Sequence, residues 1–189
     1  MTITDVEGFL ASGVASGIKN NKELDLALVT TEGQQPVSAA AVFTSNKMTA
    51  APVLVSRKHL EITGGAASTV VLNSGNANAA TGEQGLLDAE RMCQLTAQGL
   101  GCESSEVLVC STGWIGYPLP MEEVTYGIKS AIDSLKDDQG AAAAKAIMTT
   151  DTVPKNTLVK AKGFSVGGIS KGAAMLQPNM ATMLSVLTT

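Results

Sequence analysis

Aromatic side chains are scarce. One Trp, two Tyr and three Phe make up 3% of the 189 residues, so there is no ring platform on which bases could stack. The 13 basic residues are scattered and outnumbered by 17 acidic ones, giving a net charge of -4. Without a basic footprint the chain is not read as a nucleic-acid binder. Histidine is scarcer still. His59 is the only one, which excludes a HExxH metal site, and any histidine-based triad would depend on that residue in the polar run Ser56-Arg-Lys-His-Leu60. A nucleophile in this chain has to find another base. The three cysteines, Cys93, Cys102 and Cys110, fit neither a CxxC metal pair nor a disulfide framework and read as reduced, packed thiols. No stretch reaches the ~18 apolar residues of a membrane span, and the opening Met-Thr-Ile-Thr-Asp-Val-Glu lacks the basic-then-apolar pattern of a secretory signal. The expected location is cytoplasmic, with no membrane partner.

What the chain has in abundance is small residues, 25 Ala and 19 Gly, which favour close approach of backbones. There is no internal repeat or linker, so the pattern is that of one continuous domain. Four short strands are expected early, at Leu24 to Val29, Ser38 to Phe43, Pro52 to Val55 and Ser68 to Leu72. Helical spacing then places an amphipathic helix at Glu83 to Leu100, ended by Gly101, and a second one after Pro120, with Glu122 and Glu123 in its first turn. A strand at Glu106 to Cys110 separates them. Ala141 to Met148 reads as a short helix, Thr157 to Val166 as a hairpin turning at Lys162-Gly163, and Thr182 to Thr189 as a strand. The fold class is therefore α/β, a layered sheet-and-helix domain without strict βαβ alternation.

Three polar, Gly-containing segments interrupt this packing sequence. Asn73-Ser-Gly-Asn-Ala-Asn-Ala-Ala-Thr-Gly82 follows a strand and precedes a helix. It is either an anion cradle or simply a turn and helix cap. Cys110-Ser-Thr-Gly-Trp-Ile-Gly116 again follows a strand, and a hydroxyl beside an exposed N–H is a workable oxyanion hole, with an ordinary turn as the alternative. Cys110 itself ends an apolar run without an activating partner. In the third, Lys171 to Leu184, Pro178 and Asn179 impose a turn before Ala181-Thr182. A Thr held there can attack the preceding carbonyl, and the ester so formed can hydrolyse to free an α-amino group. That amine has a reference pKa of ~7.7 to 8.0 and can act as base for its own hydroxyl. Ala-Thr after a turn is also a common, purely structural pairing.

Taken together, Gly13-Val-Ala-Ser-Gly-Ile-Lys19, Asn73 to Asn78, Cys110-Ser-Thr-Gly113, Ala146-Ile-Met-Thr-Thr-Asp151, Lys171-Gly172 and Pro178-Asn-Met-Ala-Thr-Met-Leu184 resemble, in order and along the whole chain, the ornithine acetyltransferase family. This is the bifunctional glutamate N-acetyltransferase and amino-acid acetyltransferase of arginine biosynthesis. The resemblance implies a self-processing N-terminal-nucleophile fold and a precursor cut between Ala181 and Thr182. Residues 1–181 would form the α chain and 182–189 the start of a β chain whose remainder completes the sheet. It implies Thr182 as nucleophile, Thr112 and Gly113 as the oxyanion hole, and Thr149, Lys171 and Thr182 as substrate contacts. The implied partners are the β chain of the same precursor, in a hetero-oligomer, and small amino-acid substrates. No metal or prosthetic group is required, with acetyl-CoA a possible co-substrate. Two further readings use the same residues: an amino-acid-binding remnant without turnover, and an N-terminal-threonine amide hydrolase.

Overall fold

The computed structural model describes residues 1–189. In chain order the elements are β1 (Phe9–Val14), β2 (Leu26–Thr31), β3 (Val37–Ser38), α1 (Ala51–Ile62), β4 (Ala66–Ala67), β5 (Thr69–Asn76), α2 (Gly82–Leu100), β6 (Val107–Trp114), α3 (Met121–Asp133), α4 (Gly140–Ala146), β7 (Lys155–Ala161), β8 (Phe164–Lys171) and β9 (Leu184–Thr188). A four-stranded sheet of order β1-β2-β5-β6 forms the centre. Its first two pairings are antiparallel, and β5 and β6 run parallel. A second, antiparallel sheet is built from β7, β8 and β9, while β3 and β4 form a two-residue ladder.

The central sheet is covered on both faces. β2, Leu-Ala-Leu-Val-Thr-Thr, is buried along its whole length, and its side chains alternate between two cores. Leu26 and Leu28 face α1, α2 and α3 with Val55, Val71, Met92, Val109 and Ile128. Ala27 and Val29 face the other side with Ala11, Leu72, Ala143, Ala144, Ile147 and Ile169. Each large apolar side chain buried in this way contributes roughly 1.5–3 kcal/mol. Five of the ten buried residues of this second core are alanines, three of them on α4. A Cβ on Gly13 would lie 2.3 Å from the Ala142 carbonyl oxygen, so β1 and the alanine helix α4 pack backbone against backbone. The abundance of Ala and Gly is used here.

Helices α2 and α3 and the β7-β8 hairpin occur where the sequence pattern puts them. Gly101 closes α2 in the left-handed conformation at φ +77°, as a C-terminal glycine does. Pro120 and two acidic residues open α3. Other expectations are overturned. Pro52 to Val55 is not a strand but the first turn of α1, whose buried side consists of Ala51, Pro52, Val55, Ser56 and His59. Proline suits a first helical turn, and the 3.6-residue burial period outweighs a few residues of β preference. Of Ser38 to Phe43 only Ser38 joins a strand. Val42 is 81% exposed, so this segment has no sheet face to bury against. Strand β1 was not expected, because Ala-Ser-Gly in its middle carries little strand signal. His59 lies on α1 rather than beside a strand. It is buried, with Nδ1 2.8 Å from the Val107 carbonyl and Nε2 3.5 Å from Glu90, so it serves packing.

Candidate active site

Strands β5 and β6 end side by side, and at the carboxyl ends of parallel strands the loops are free to build a site. Two glycines make this junction possible. Gly113 has φ +137°, and a Cβ there would lie 2.3 Å from the Gly75 carbonyl carbon. Only glycine permits so close an approach. The loop after β1 closes over the same end. Asp25, fully buried, accepts hydrogen bonds from the Ser16, Gly17 and Lys19 amides and from the Ser16 hydroxyl. Ser74 ties β5 to α4 by donating to the Ala146 carbonyl at 2.6 Å.

Into this end β8 delivers Lys171. Its ammonium donates to the Thr112 hydroxyl at 3.1 Å and to the Thr182 carbonyl at 3.2 Å, and the Thr112 hydroxyl donates to the same carbonyl at 3.4 Å. Thr112 is 1% and Lys171 3% exposed. Burial pushes the Lys171 ammonium below its ordinary range, the Asp151 carboxylate pulls it back up, and the charges of Lys155 and Lys19 push it down again. Three residues named from sequence, separated by up to 70 positions, therefore meet.

Thr182 ends a coil of tight turns. Met180 N–H donates to the Leu176 carbonyl, Ala181 N–H to Pro178 and Met183 N–H to Met180. Asn179, Met180 and Thr182 have φ of +39°, +62° and +67°. A β-branched residue in the left-handed region stores roughly 1–3 kcal/mol of strain, here on the carboxyl side of the Ala181–Thr182 bond. The Thr182 hydroxyl donates to the Met175 carbonyl.

The remaining expected residues are placed as follows. No hydrogen bond joins Gly113 to Thr182; its backbone packs on Gly75. Thr149 is exposed, just beyond α4, and its N–H donates to Asp151 at 3.3 Å. Cys110 has its thiol pushed up by burial to about 12, which keeps it out of nucleophilic chemistry. In the Asn73 to Gly82 segment the asparagine amide groups tie the turn to itself and to its neighbours. Asn73 donates to the Asn76 carbonyl, Asn76 to Tyr117 and Pro118, and Asn78 to Gly85. These bonds brace the turn ahead of α2, where the Thr81 hydroxyl donates to Asn78 Oδ1 at 2.7 Å.

Two groups escaped the sequence reading. Lys19 donates to the Met148 carbonyl at 2.9 Å, and burial lowers its pKa against the pull of Glu23 and Asp25. Asp151 accepts from Gly172 N–H at 2.9 Å, from Thr149 N–H and from Lys155. Burial raises its carboxyl, but these partners outweigh that and hold it at about 2. The motif Met-Thr-Thr-Asp was visible in sequence, but the partners of its last residue lie elsewhere. No group of three or more His, Cys, Asp or Glu side chains is placed to hold a metal ion. No helix is long and apolar enough to cross a membrane.

Known proteins share this fold. The ornithine acetyltransferase of Mycobacterium tuberculosis, solved in complex with ornithine, superposes with a TM-score of 0.89 at 43% identity, covering 95% of this chain and 96% of that one. The arginine biosynthesis bifunctional protein ArgJ of Bacillus halodurans superposes with a TM-score of 0.84 at 39% identity. In sequence, the bifunctional ArgJ proteins of Streptomyces avermitilis and Caldanaerobacter subterraneus subsp. tengcongensis are 50% and 49% identical to it, over 100% and 97% of this chain. The chain spans only 49% and 45% of those two relatives, about half their length. The profile of the ArgJ family matches residues 10–189, a span that contains every residue of the site just described, and on that match the chain belongs to the ArgJ family.

Proposed function

We propose that these 189 residues carry the amino-terminal part of an enzyme of arginine biosynthesis that moves acetyl from N-acetylornithine to glutamate through an ester on Thr182. The observation that carries the reading is the meeting of Lys171 and Thr112 on the main chain of Thr182, within a strained turn. The ornithine complex of the M. tuberculosis relative supports the substrate class.

The enzyme first cuts itself. Rotation about χ1 turns the Thr182 hydroxyl from the Met175 carbonyl towards the Ala181 carbonyl carbon. The oxygen attacks and the carbonyl becomes an oxyanion. The C–N bond then breaks as the nitrogen takes the proton, leaving an Ala181 ester on Thr182. Water hydrolyses that ester, giving an α chain of residues 1–181 and a β chain beginning at Thr182. The relation of lengths supports this division. Full-length relatives are about twice as long as this chain, whereas the solved M. tuberculosis chain is covered to 96%.

In the cut enzyme the Thr182 α-amine takes the proton from its own hydroxyl, which attacks the acetyl carbonyl of N-acetylornithine. Ornithine leaves with the proton, and the glutamate amine then attacks the acetyl ester and regenerates the hydroxyl. Thr112 and Gly113 stabilise both oxyanions. Lys171 holds the substrate carboxylate as a point charge, and Thr149 is a further contact. The chemistry requires no metal and no prosthetic group, and acetyl-CoA is an alternative donor. The working form pairs α and β chains.

The test is to express the full-length precursor with Thr or Ala at 182, reading chain masses and acetyl transfer. Thr182→Ala is expected to remain uncut and inactive. A β chain beginning at residue 182 from that variant, or an intact wild type that transfers no acetyl, would refute the proposal.

A further inference from the structure

One carboxylate at the site has no part in the acyl chemistry. Asp151 is 8% exposed, and its two oxygens hold three donors from three segments. Oδ1 takes the Gly172 N–H at 2.9 Å and the Lys155 ammonium, and Oδ2 takes the Thr149 N–H at 3.3 Å. Gly172 directly follows Lys171. It has φ +146°, and a Cβ on it would lie 2.9 Å from Leu176, so the chain reverses into the turn that carries Thr182 at the residue Asp151 grips. Thr149 lies in the loop that leaves α4. A carboxylate needed only to pair with Lys155 would have no use for two main-chain donors in separate loops.

We infer that Asp151 is a positioning residue for the substrate. It fastens the Thr149 loop to the end of β8, so that this loop and the Lys171 ammonium, which reaches the Thr182 carbonyl, are held in one fixed arrangement. This rests on Thr149 and Lys171 being the amino-acid contacts of the proposed function. An asparagine at 151 keeps the volume but has one acceptor oxygen instead of two. Its amide then faces either the Thr149 N–H, or the Gly172 N–H and Lys155, donor against donor. The two loops lose their common anchor.

The experiment uses the assembled, self-cut enzyme and ornithine as probe. Asp151→Asn is expected to raise the ornithine Kd in calorimetry by about 10- to 100-fold, the range for losing hydrogen bonds to a charged group. Turnover at saturating substrate should stay within a few-fold, because the groups that react are untouched. The basic limb of the binding-pH profile is also expected to move to lower pH. The charged groups around Lys171 are Asp151, Lys155 from β7 and Lys19 from the loop after β1, and the variant leaves only the two cations. A folded Asp151→Asn enzyme with unchanged Kd and an unmoved basic limb would overturn the inference, as would a fall in melting temperature with Kd unaltered. If the variant does not fold, Asp151→Glu keeps the charge and both acceptors but displaces them by one methylene. A several-fold rise in Kd at unchanged melting temperature supports the role, and an unchanged Kd overturns it. Calorimetry needs no turnover, so a wild type that bound ornithine but transferred no acetyl would refute the proposed reaction and leave the role of Asp151 to be decided by Kd. A wild type that did not bind ornithine would overturn both.

Discussion

Gly13→Ala adds one methyl group far from any reacting atom and should nevertheless damage the site. That methyl would lie 2.3 Å from the Ala142 carbonyl oxygen, 2.4 Å from its carbon and 2.8 Å from the Ala143 nitrogen. A carbon–oxygen contact relaxes at ~3.3 Å, so α4 must retreat by about 1 Å. Ala143 and Ala144 are fully buried at this seam, and the 2.6 Å bond from Ser74 to the Ala146 carbonyl would stretch. Overpacking of this kind costs about 1–3 kcal/mol, which in a chain of this size lowers the melting temperature by roughly 2–12 °C. The functional effect is larger. The loop that leaves α4 carries Met148, held by Lys19, and Thr149 and Asp151, which join it to Gly172. A displacement of ~1 Å at such positions can reduce kcat/KM ~100-fold. Thermal melts and acetyl-transfer rates of the assembled enzyme test both figures. An unaltered melting temperature with unaltered kcat/KM would refute the claim that backbone contact between β1 and α4 positions the site.

Other outcomes follow from the same geometry. In the assembled enzyme Lys171→Met should raise KM for both N-acetylornithine and glutamate with the protein still folded, since an ion pair to a carboxylate common to both binds ground and transition states alike. Unchanged KM for both would remove Lys171 from the substrate site. Thr112→Ala should lower kcat by ~100- to 1,000-fold if its hydroxyl serves the oxyanion, and turnover within a few-fold of wild type would withdraw that role. The Asp151 carboxyl is held at about 2 in the fold against an ordinary 3.8. A depressed carboxyl stabilises the fold above its unfolded value, and that contribution disappears as pH falls through its folded value. Wild type should therefore be more stable than Asp151→Asn above about pH 4, and the two stabilities should converge towards pH 2 in acid-unfolding curves. Parallel curves across that range would contradict the linkage.

The sequence by itself determined those elements whose signals are local. Helix α2 was legible because apolar residues recur at helical spacing and Gly101 can take the left-handed conformation that ends it. The β7-β8 hairpin was legible because Lys162-Gly163 places a glycine, at φ +91°, between two alternating runs. The turn before Thr182 was legible from Pro178 and Asn179. Where local preference and burial disagreed, tertiary structure decided. Pro52 to Val55 became helix because α1 buries Ala51, Val55 and His59 on one side, and most of the segment after β3 remained without a strand because no face was open to it. The site itself is a tertiary product. Thr112 and Thr182 are 70 residues apart, Lys171 and Thr112 are 59 apart, and they meet because two parallel strands end together while a second sheet carries Lys171 to the same end. Asp151 shows the limit most plainly. Its residue type was visible, but its partner is the amide of Gly172, 21 positions away. A hydrogen bond between distant segments leaves no periodicity in the chain, because it is specified by how the sheets and α4 pack and not by neighbouring residues.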